Sequence, residues 1–241
     1  MLKSKKLIAV VMLMAMLLCS CGTAAVELPE GLSADNEQYI YLSENDMPLE
    51  VHLDRDYDWY IDQGNTGRYR NKNCGPSSAV MVAKWYDESF PLTAEEARET
   101  YAIDGGEWRT TVIKRFLTKN DIPVSAIAYT YEETLKALNE NKVLLVCMNT
   151  KYISRSTDNT SHNDRFYDYE GGHFLVIKGY KFIDGQLYYE VYDPNNWNAK
   201  YEDGSEMGKD RYYDYKEMEE SILNHWKYLF TIEGKNSEET K

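Results

Sequence analysis

Residues 74–86 read CGPSSAVMVAKWY, and this stretch decides how the rest of the chain is interpreted. Residues 77–86 have the composition of a helix, and Pro76 stands near its first position, where a backbone N–H is not needed. Cys74 therefore precedes a predicted helix start, where unpaired N–H groups and the helix dipole stabilise a thiolate. A cysteine nucleophile needs such an environment. A cysteine without a catalytic role is the alternative that this stretch alone leaves open.

The chain around this helix is predicted to be α+β, with helices in its front half and an antiparallel sheet behind them. Thr93 and Glu96 form a capping box at the start of a second helix. Asp184-Gly185 is a hairpin turn pair between two apolar runs. Further helical periods cover residues 108–120 and 132–139, and the predicted strands cover residues 143–148, 174–180, 187–192 and 227–232.

His173 and Asp193 stand at the two ends of the predicted hairpin, at the same edge of the sheet. Pairing the strands from the turn outward places Asp193 opposite Val176 rather than His173, so a bulge or a stagger must close the gap. If it does, His173 can act as a general base whose imidazole Asp193 orients. The alternatives are a histidine satisfied at a strand end and an aspartate in the turn before Pro194.

Gln63 lies eleven positions before Cys74, in the sequence YIDQGN. A side-chain amide at that place can share the binding of an oxyanion with the backbone N–H of Cys74. The alternative is a surface glutamine in a loop, and the spacing by itself does not separate the two.

Four pieces of sequence occur in order: Gln63, Cys74-Gly75-Pro76-Ser77-Ser78-Ala79, Gly172-His173-Phe174-Leu175-Val176 and Tyr192-Asp193-Pro194. This order resembles the papain-like cysteine peptidases, and most closely the bacteriocin-processing peptidases that cut double-glycine leaders, in their stand-alone branch. The resemblance covers roughly residues 57–197. It implies a papain-like fold in which Cys74 is the nucleophile, His173 the base, Asp193 the orienting acid and Gln63 the oxyanion donor.

The chain departs from the leader-cutting enzymes in two ways. Their glutamine lies closer to the cysteine, so the eleven-residue step to Gln63 implies a longer loop here. After the first twenty residues, no apolar run approaches the ~20 residues that a membrane-spanning helix needs. Leader processing coupled to export through a transporter is therefore not expected.

The first 20 residues are predicted to be an export signal. Three lysines precede the twelve apolar residues 7–18, a run too short for a membrane span and typical of a secretory signal. Residues 18–22, LCSCG, resemble the lipobox of bacterial lipoproteins. The resemblance implies cleavage before Cys21 and a diacylglyceryl chain on its sulfur. An ordinary secreted protein with incidental cysteines is the alternative.

The chain is expected to form one domain with an anchored, acidic N-terminus. The predicted order is a signal peptide (1–20), a lipidated cysteine with a tether (21–50), the peptidase domain (51–235) and a charged tail (236–241). Apolar content of 43% excludes a disordered chain, and four cysteines are too few for a disulfide framework. Because removing the signal takes away three lysines and no acidic residue, the net charge falls from −13 to −16. Nucleic-acid binding is not expected of such a chain.

No metal or cofactor is predicted. His52, His162 and His225 lack paired zinc-ligand spacing, and residues 158–168 lack the ordered aspartates of a calcium loop. That loop is interpreted as a solvated segment beside the cleft, with a substrate rim as the alternative. Cys147 lies within an apolar run and is expected to be a buried strand cysteine.

The functional hypothesis is an extracytoplasmic cysteine peptidase, anchored to the membrane through Cys21, that hydrolyses peptide or isopeptide bonds of a peptide or protein substrate as a monomer. One alternative is a papain-fold lipoprotein that binds peptides or cell-wall fragments without turnover. Another is a transferase that passes the acyl group to an amine. The acidic net charge favours neutral or basic substrates.

Overall fold

The computed structural model describes residues 48–101 and 105–235. Several predicted features lie outside the described residues: the signal peptide, the lipidation of Cys21, residues 21–47 of the tether and the tail 236–241. None of the described helices has both the length and the apolar character that crossing a bilayer requires.

Five α-helices and three short 3₁₀ helices occur in the described part of the chain. The α-helices are α1 (Cys74–Tyr86), α2 (Ala94–Tyr101), α3 (Thr110–Lys119), α4 (Tyr131–Asn139) and α5 (Tyr215–Leu223). The 3₁₀ helices are Gln63–Asn65, Gly67–Lys72 and Thr150–Tyr152. The first two lie immediately before α1, so the chain reaches Cys74 through two tight turns.

The described strands form one antiparallel sheet. They are β1 (Glu50–His52), β2 (Ser125–Ala128), β3 (Lys142–Asn149), β4 (Gly172–Ile183), β5 (Gln186–Tyr192), β6 (Arg211–Asp214) and β7 (Tyr228–Glu233). Their order is β2-β7-β3-β4-β5-β6, and β1 pairs with the far end of β4. The strand β4 is therefore central, with β3 on one side and β5 on the other.

Each face of the sheet is covered by helices. Alternate residues of β3 and β4, such as Cys147, Phe174 and Val176, belong to one apolar cluster with α1, α2 and α3. The residues between them are also buried, and α4 and α5 pack on β3 from that other side. Because a strand exposes successive side chains to opposite faces, the sheet is the middle layer of a three-layer α+β domain.

The α+β prediction is confirmed, and the predicted helices and strands are present with bounds that differ by a few residues. The capping box is confirmed as well, since Thr93 N donates to Glu96 Oε2 at 2.8 Å and Glu96 N donates to Thr93 Oγ1 at 3.2 Å. Asp184 and Gly185 have φ of +50° and +80°, as a two-residue turn between strands requires.

Among the described α-helices and strands, four were not predicted: β1, β2, β6 and α5. The strands are three or four residues long, too short to show a period. The helix α5 carried a readable signal. Asp214 caps it by accepting hydrogen bonds from the N–H groups of Lys216 and Glu217, and Met218 and Ile222 lie one turn apart on its buried side.

Candidate active site

Cys74 is the first residue of α1, three positions earlier than the predicted helix. The N-cap residue Asn73 does not cap the helix with its side chain, so the first N–H groups of α1 are free to stabilise charge on the sulfur. Gly75 follows because the Cβ of Trp108 approaches closely: a Cβ at position 75 would lie 2.8 Å from it. Cys74 itself is half-buried at the end of the helix.

Asn73 and the buried Arg98 fix the chain that leads into Cys74. The Asn73 Nδ2 donates to the carbonyl and the hydroxyl of Thr66, each at 2.9 Å. The Arg98 guanidinium donates to Asn73 Oδ1 and, at 2.7 Å each, to the carbonyls of Lys72 and Gly106. Because one planar cation holds all three groups, the two segments on either side of the cysteine are tied together.

His173 and Asp193 form a buried hydrogen-bonded pair. The distance from His173 Nε2 to Asp193 Oδ1 is 2.8 Å, and both side chains are almost completely buried. Burial lowers the pKa of His173, but the Asp193 carboxylate and Cys74 outweigh it and raise the pKa to about 10. Burial raises the pKa of Asp193, and the positive His173 more than offsets this and lowers it. The pair is therefore an imidazolium and a carboxylate.

A bulge in β4 brings His173 and Asp193 to the same face of the sheet. From the turn, the pairing of β4 and β5 runs regularly to Gly179 opposite Glu190, and it then shifts by one residue, so that Val176 pairs with Tyr192. Lys178 is the extra residue. Without this residue, Asp193 would align with Val176, whose side chain lies on the face of the sheet opposite to that of His173. With it, Asp193 aligns with Leu175, whose side chain lies on the same face as that of His173. The predicted gap is closed by this shift.

Two tyrosine hydroxyls complete the surroundings of Asp193. Tyr167 and Tyr213 donate to Asp193 Oδ2 at 2.8 and 2.7 Å, while the Asn195 N–H donates to Oδ1 at 2.9 Å. A buried carboxylate needs such donors to stay ionised. Neither tyrosine was predicted from the sequence. Tyr167 lies in the loop 158–168, which therefore contributes to the site instead of being only a solvated segment.

Gln63 is 4% exposed and lies in the 3₁₀ helix Gln63–Asn65, next to the segment that follows Asp193. Its backbone N–H donates to the Pro194 carbonyl at 2.8 Å, which connects it to the residue after Asp193. Its Nε2 donates to the Arg70 carbonyl at 3.2 Å with one of its two hydrogens, and the second is free for an oxyanion. The buried Oε1 has no hydrogen-bond partner among the described residues.

Asp62 fixes the loop of Gln63 against the loop after Asp193. Its carboxylate accepts hydrogen bonds from the backbone N–H groups of Gly64, Trp197 and Asn198 at 2.7, 2.9 and 2.7 Å. The side chain is buried, at 6% exposure. Asp62 was not predicted from the sequence, because two of these donors, Trp197 and Asn198, become its neighbours only through a contact that spans more than 130 residues.

Cys74 and Gln63 line the same open cavity of about 600 Å³. Its apolar walls include Trp108, Phe174 and Trp197. Tyr169 and His225 line it near the start of β4. A cavity of this size accommodates a few residues of an extended peptide. The predicted site residues Cys74, His173, Asp193 and Gln63 are thus brought together at one edge of the sheet.

Cys147 also lines this cavity, from the middle of β3 opposite Phe174. Burial, with a smaller contribution from Cys74, raises the pKa of its thiol to about 12. The other histidines lie outside the pair: His52 contacts Glu190 at 2.6 Å, and His162 stacks on Tyr201. Among the described residues, no group of three or more histidine, cysteine, aspartate or glutamate side chains is placed to hold a metal ion.

The fold and the site define an α+β domain with the papain-like cysteine peptidase fold. A protein from Bacillus anthracis assigned as a C39-like peptidase superposes with a TM-score of 0.53 at 11% identity, over 78% of this chain and 99% of that one. Two further structures are similar at 13% identity: xylellain, a cysteine protease from Xylella fastidiosa (TM-score 0.41, 85% of this chain and 94% of that one), and UfSP from C. elegans (TM-score 0.47, 82% and 37%). No protein-family model and no curated protein matches the chain in sequence.

Proposed function

We propose that the protein is a cysteine peptidase that hydrolyses peptide or isopeptide bonds. One observation carries the proposal: a buried His173–Asp193 pair lies beside Cys74, which begins a helix in an open cleft. A protein that only binds peptides needs the cleft, but it has no use for an imidazolium held against a cysteine at the cost of burying two charges.

The arrangement supports acyl transfer in two steps. The Cys74 thiolate attacks the carbonyl carbon of the substrate, and the oxyanion accepts hydrogen bonds from the Cys74 N–H and from Gln63 Nε2. Because Asp193 holds His173 Nε2, Nδ1 is the nitrogen available to protonate the leaving amine. The amine departs and leaves a thioester. His173 then takes a proton from water as the water oxygen attacks the thioester carbon. The C–S bond breaks, the acid leaves, and the Cys74 thiolate and the His173 imidazolium are restored.

The site of action in this proposal is outside the cytoplasm, at a membrane surface. The signal-like residues 1–20 and the lipobox-like residues 18–22 support export and lipidation of Cys21. The same sequence pieces that resemble the bacteriocin-processing peptidases support placing the protein in their stand-alone branch. Its partners in this proposal are a peptide or protein substrate and, through the lipid, the membrane.

The test uses the purified protein and its Cys74→Ala variant, each incubated with a peptide library and with cell-wall fragments. We expect mass spectrometry to show cleavage products with the wild type alone. Carrying out the reaction in H₂¹⁸O distinguishes hydrolysis, which places one ¹⁸O in the new carboxylate, from transfer to an amine, which places none. Products of equal amount with both proteins, or none with either, contradict the proposal.

A further inference from the structure

The segment that precedes Cys74 is basic in an acidic protein. The 3₁₀ helix Gly67–Lys72 reads GRYRNK and has three cationic side chains in six residues, while the whole chain carries a net charge of −13. Lys72 lines the cleft and is exposed. Arg70 lies next to the cleft, with its guanidinium carbon 5.3 Å from the ring centre of Trp197.

Arg109 contributes a second cation to the lining of the same cleft. It is the N-cap residue of α3 and follows Trp108, whose Cβ lies over the first turn of α1. The buried Arg98 holds the carbonyls of Lys72 and Gly106, so the segments that carry Lys72 and Arg109 are fixed relative to each other. Their charges are therefore a permanent property of the wall beside Cys74.

These cations have no carboxylate partner within ion-pair distance among the described residues. Seven other cations each pair with an aspartate or a glutamate: Lys142, Lys178, Lys200, Lys209, Lys235, Arg155 and Arg165. No described carboxylate lies within ion-pair distance of Arg70, Lys72 or Arg109, so their charges are not neutralised by a direct partner among the described residues. Among the described residues that line the cleft, Glu107 is the one carboxylate, against Lys72 and Arg109.

We propose that Lys72 and Arg109, with Arg70 beside them, select substrates that carry carboxylates close to the bond being cleaved. The substrate class is an acidic peptide, rich in aspartate or glutamate. This inference rests on the proposed function and names the substrate of that same cleft. It reverses the expectation from net charge, which favours neutral or basic substrates.

The local cations outweigh the net charge because salt screens the distant charges. At physiological ionic strength the Debye length is about 8 Å, so acidic residues on the remote surface contribute little at the cleft. A carboxylate in contact with Lys72 or Arg109 lies well within that distance. Net charge affects the rate of approach, while contacts in the cleft decide which peptide stays bound.

The first test measures binding without turnover. Two fluorescent peptides of equal length, one with glutamates and one with lysines at the same positions, are titrated against the Cys74→Ala variant at low and at moderate salt. We expect the acidic peptide to bind on the order of tenfold more tightly at low salt, and the difference to shrink as salt rises. Equal binding, or tighter binding of the basic peptide, overturns the inference.

The second test reverses the charge of the wall. Adding Lys72→Glu and Arg109→Glu to Cys74→Ala should reduce or invert the preference for the acidic peptide. The matched control is Lys114→Glu with Lys119→Glu, which changes the net charge equally at two exposed positions of α3 that do not line the cleft. The control should keep the preference. If both double changes alter it equally, net charge and not the wall is responsible, and the inference is wrong.

The two proposals can fail separately. Because binding is measured on a variant without the nucleophile, a clear acidic preference together with no cleavage of either peptide by the wild-type protein would contradict the peptidase and retain the acidic ligand. Cleavage of both peptides at equal kcat/KM, with equal binding, would retain the peptidase and contradict the acidic substrate.

Discussion

Cys74 and Cys147 line one cleft, yet the structure surrounds them differently. Cys74 begins a helix, is half-buried and raises the pKa of His173. Cys147 lies in the middle of β3, where it pairs with Phe174, and burial raises the pKa of its thiol to about 12. One sulfur has a helix terminus and a cation near it, while the other has apolar side chains.

The difference shows that the reactivity of a thiol is set by its neighbours. A thiolate is stabilised where N–H groups and a positive charge face it, and it is excluded where solvent is removed without compensation. Both situations occur here within a single cavity of about 600 Å³. The pair therefore provides an internal control for every experiment on Cys74, because substrate access is shared.

The largest expected effect is on catalysis. Cys74→Ala should lower kcat/KM for peptide cleavage by at least about 10³-fold, because the thioester cannot form. Cys147→Ala should retain cleavage, since this sulfur takes no part in the chemistry. The measurement is steady-state kinetics on one peptide, with thermal melting of both variants to show that each is folded. Loss of cleavage in Cys147→Ala with an intact fold would contradict the assignment of the nucleophile.

Alkylation separates the two thiols without a substrate. At pH 6 to 7, iodoacetamide should modify Cys74 at least about a hundredfold faster than Cys147, because the raised pKa of Cys147 leaves almost no thiolate there. Mass mapping of the two peptides at timed intervals gives both rates from one sample. In denaturant the two rates should converge. Slow and equal labelling of both cysteines in the folded protein would refute an activated Cys74.

A smaller effect is expected from Asp62→Asn, which separates oxyanion binding from thiolate reactivity. Gly64 N and Trp197 N donate to Oδ1 of Asp62, and Asn198 N donates to Oδ2. An asparagine replaces one of these oxygens by an NH₂ group, which then faces at least one N–H donor, so the loop of Gln63 should shift. We expect kcat to fall on the order of tenfold to a hundredfold, less than or equal to the loss of an oxyanion donor. Alkylation of Cys74 forms no oxyanion, so its rate should change little.

The control for this variant is Gln63→Ala, alone and combined with Asp62→Asn. If Asp62 acts through Gln63, the double variant should be no slower than Gln63→Ala. Additive losses would show that Asp62 supports the site by another route. A fall in the alkylation rate equal to the fall in kcat would show general disruption of the site.

The parts of the site that local sequence encodes could be predicted, and the parts that depend on distant contacts could not. The proline near the start of α1 and the Asp184-Gly185 turn are local signals, and they place Cys74, His173 and Asp193 near one edge. The bulge at Lys178 was not readable. Its buried ammonium binds Asp54 at 2.5 Å, Glu190 at 3.1 Å and Asp210 at 2.8 Å, and two of those partners are far away in sequence.

The same limit explains why the supporting residues were missed. Four supporting residues act through partners that are brought close by folding: Tyr167, Tyr213, Asp62 and Arg98. Their role depends on burial and on hydrogen bonds to distant segments, neither of which a sequence pattern encodes.

The smallest expected effect is on the pH dependence of stability, and it again distinguishes the surroundings of Cys74, where His173 lies, from those of Cys147. A group whose pKa is raised by folding stabilises the folded state in full below its ordinary pKa, and this contribution is lost as pH rises through the folded value. For His173 this contribution is lost between pH 6.5 and about 10, and for Cys147 between pH 9.0 and about 12.

Between pH 6.5 and 9, the melting temperature of the wild type should therefore decline relative to that of His173→Gln, while the melting temperature of Cys147→Ala should follow that of the wild type. Each 1 kcal/mol corresponds to roughly 2 to 4 °C in Tm for a domain of this size. Parallel profiles for wild type and His173→Gln in this range would show that His173 is not held as an imidazolium, and the contrast between the two thiols would then rest on the helix terminus alone.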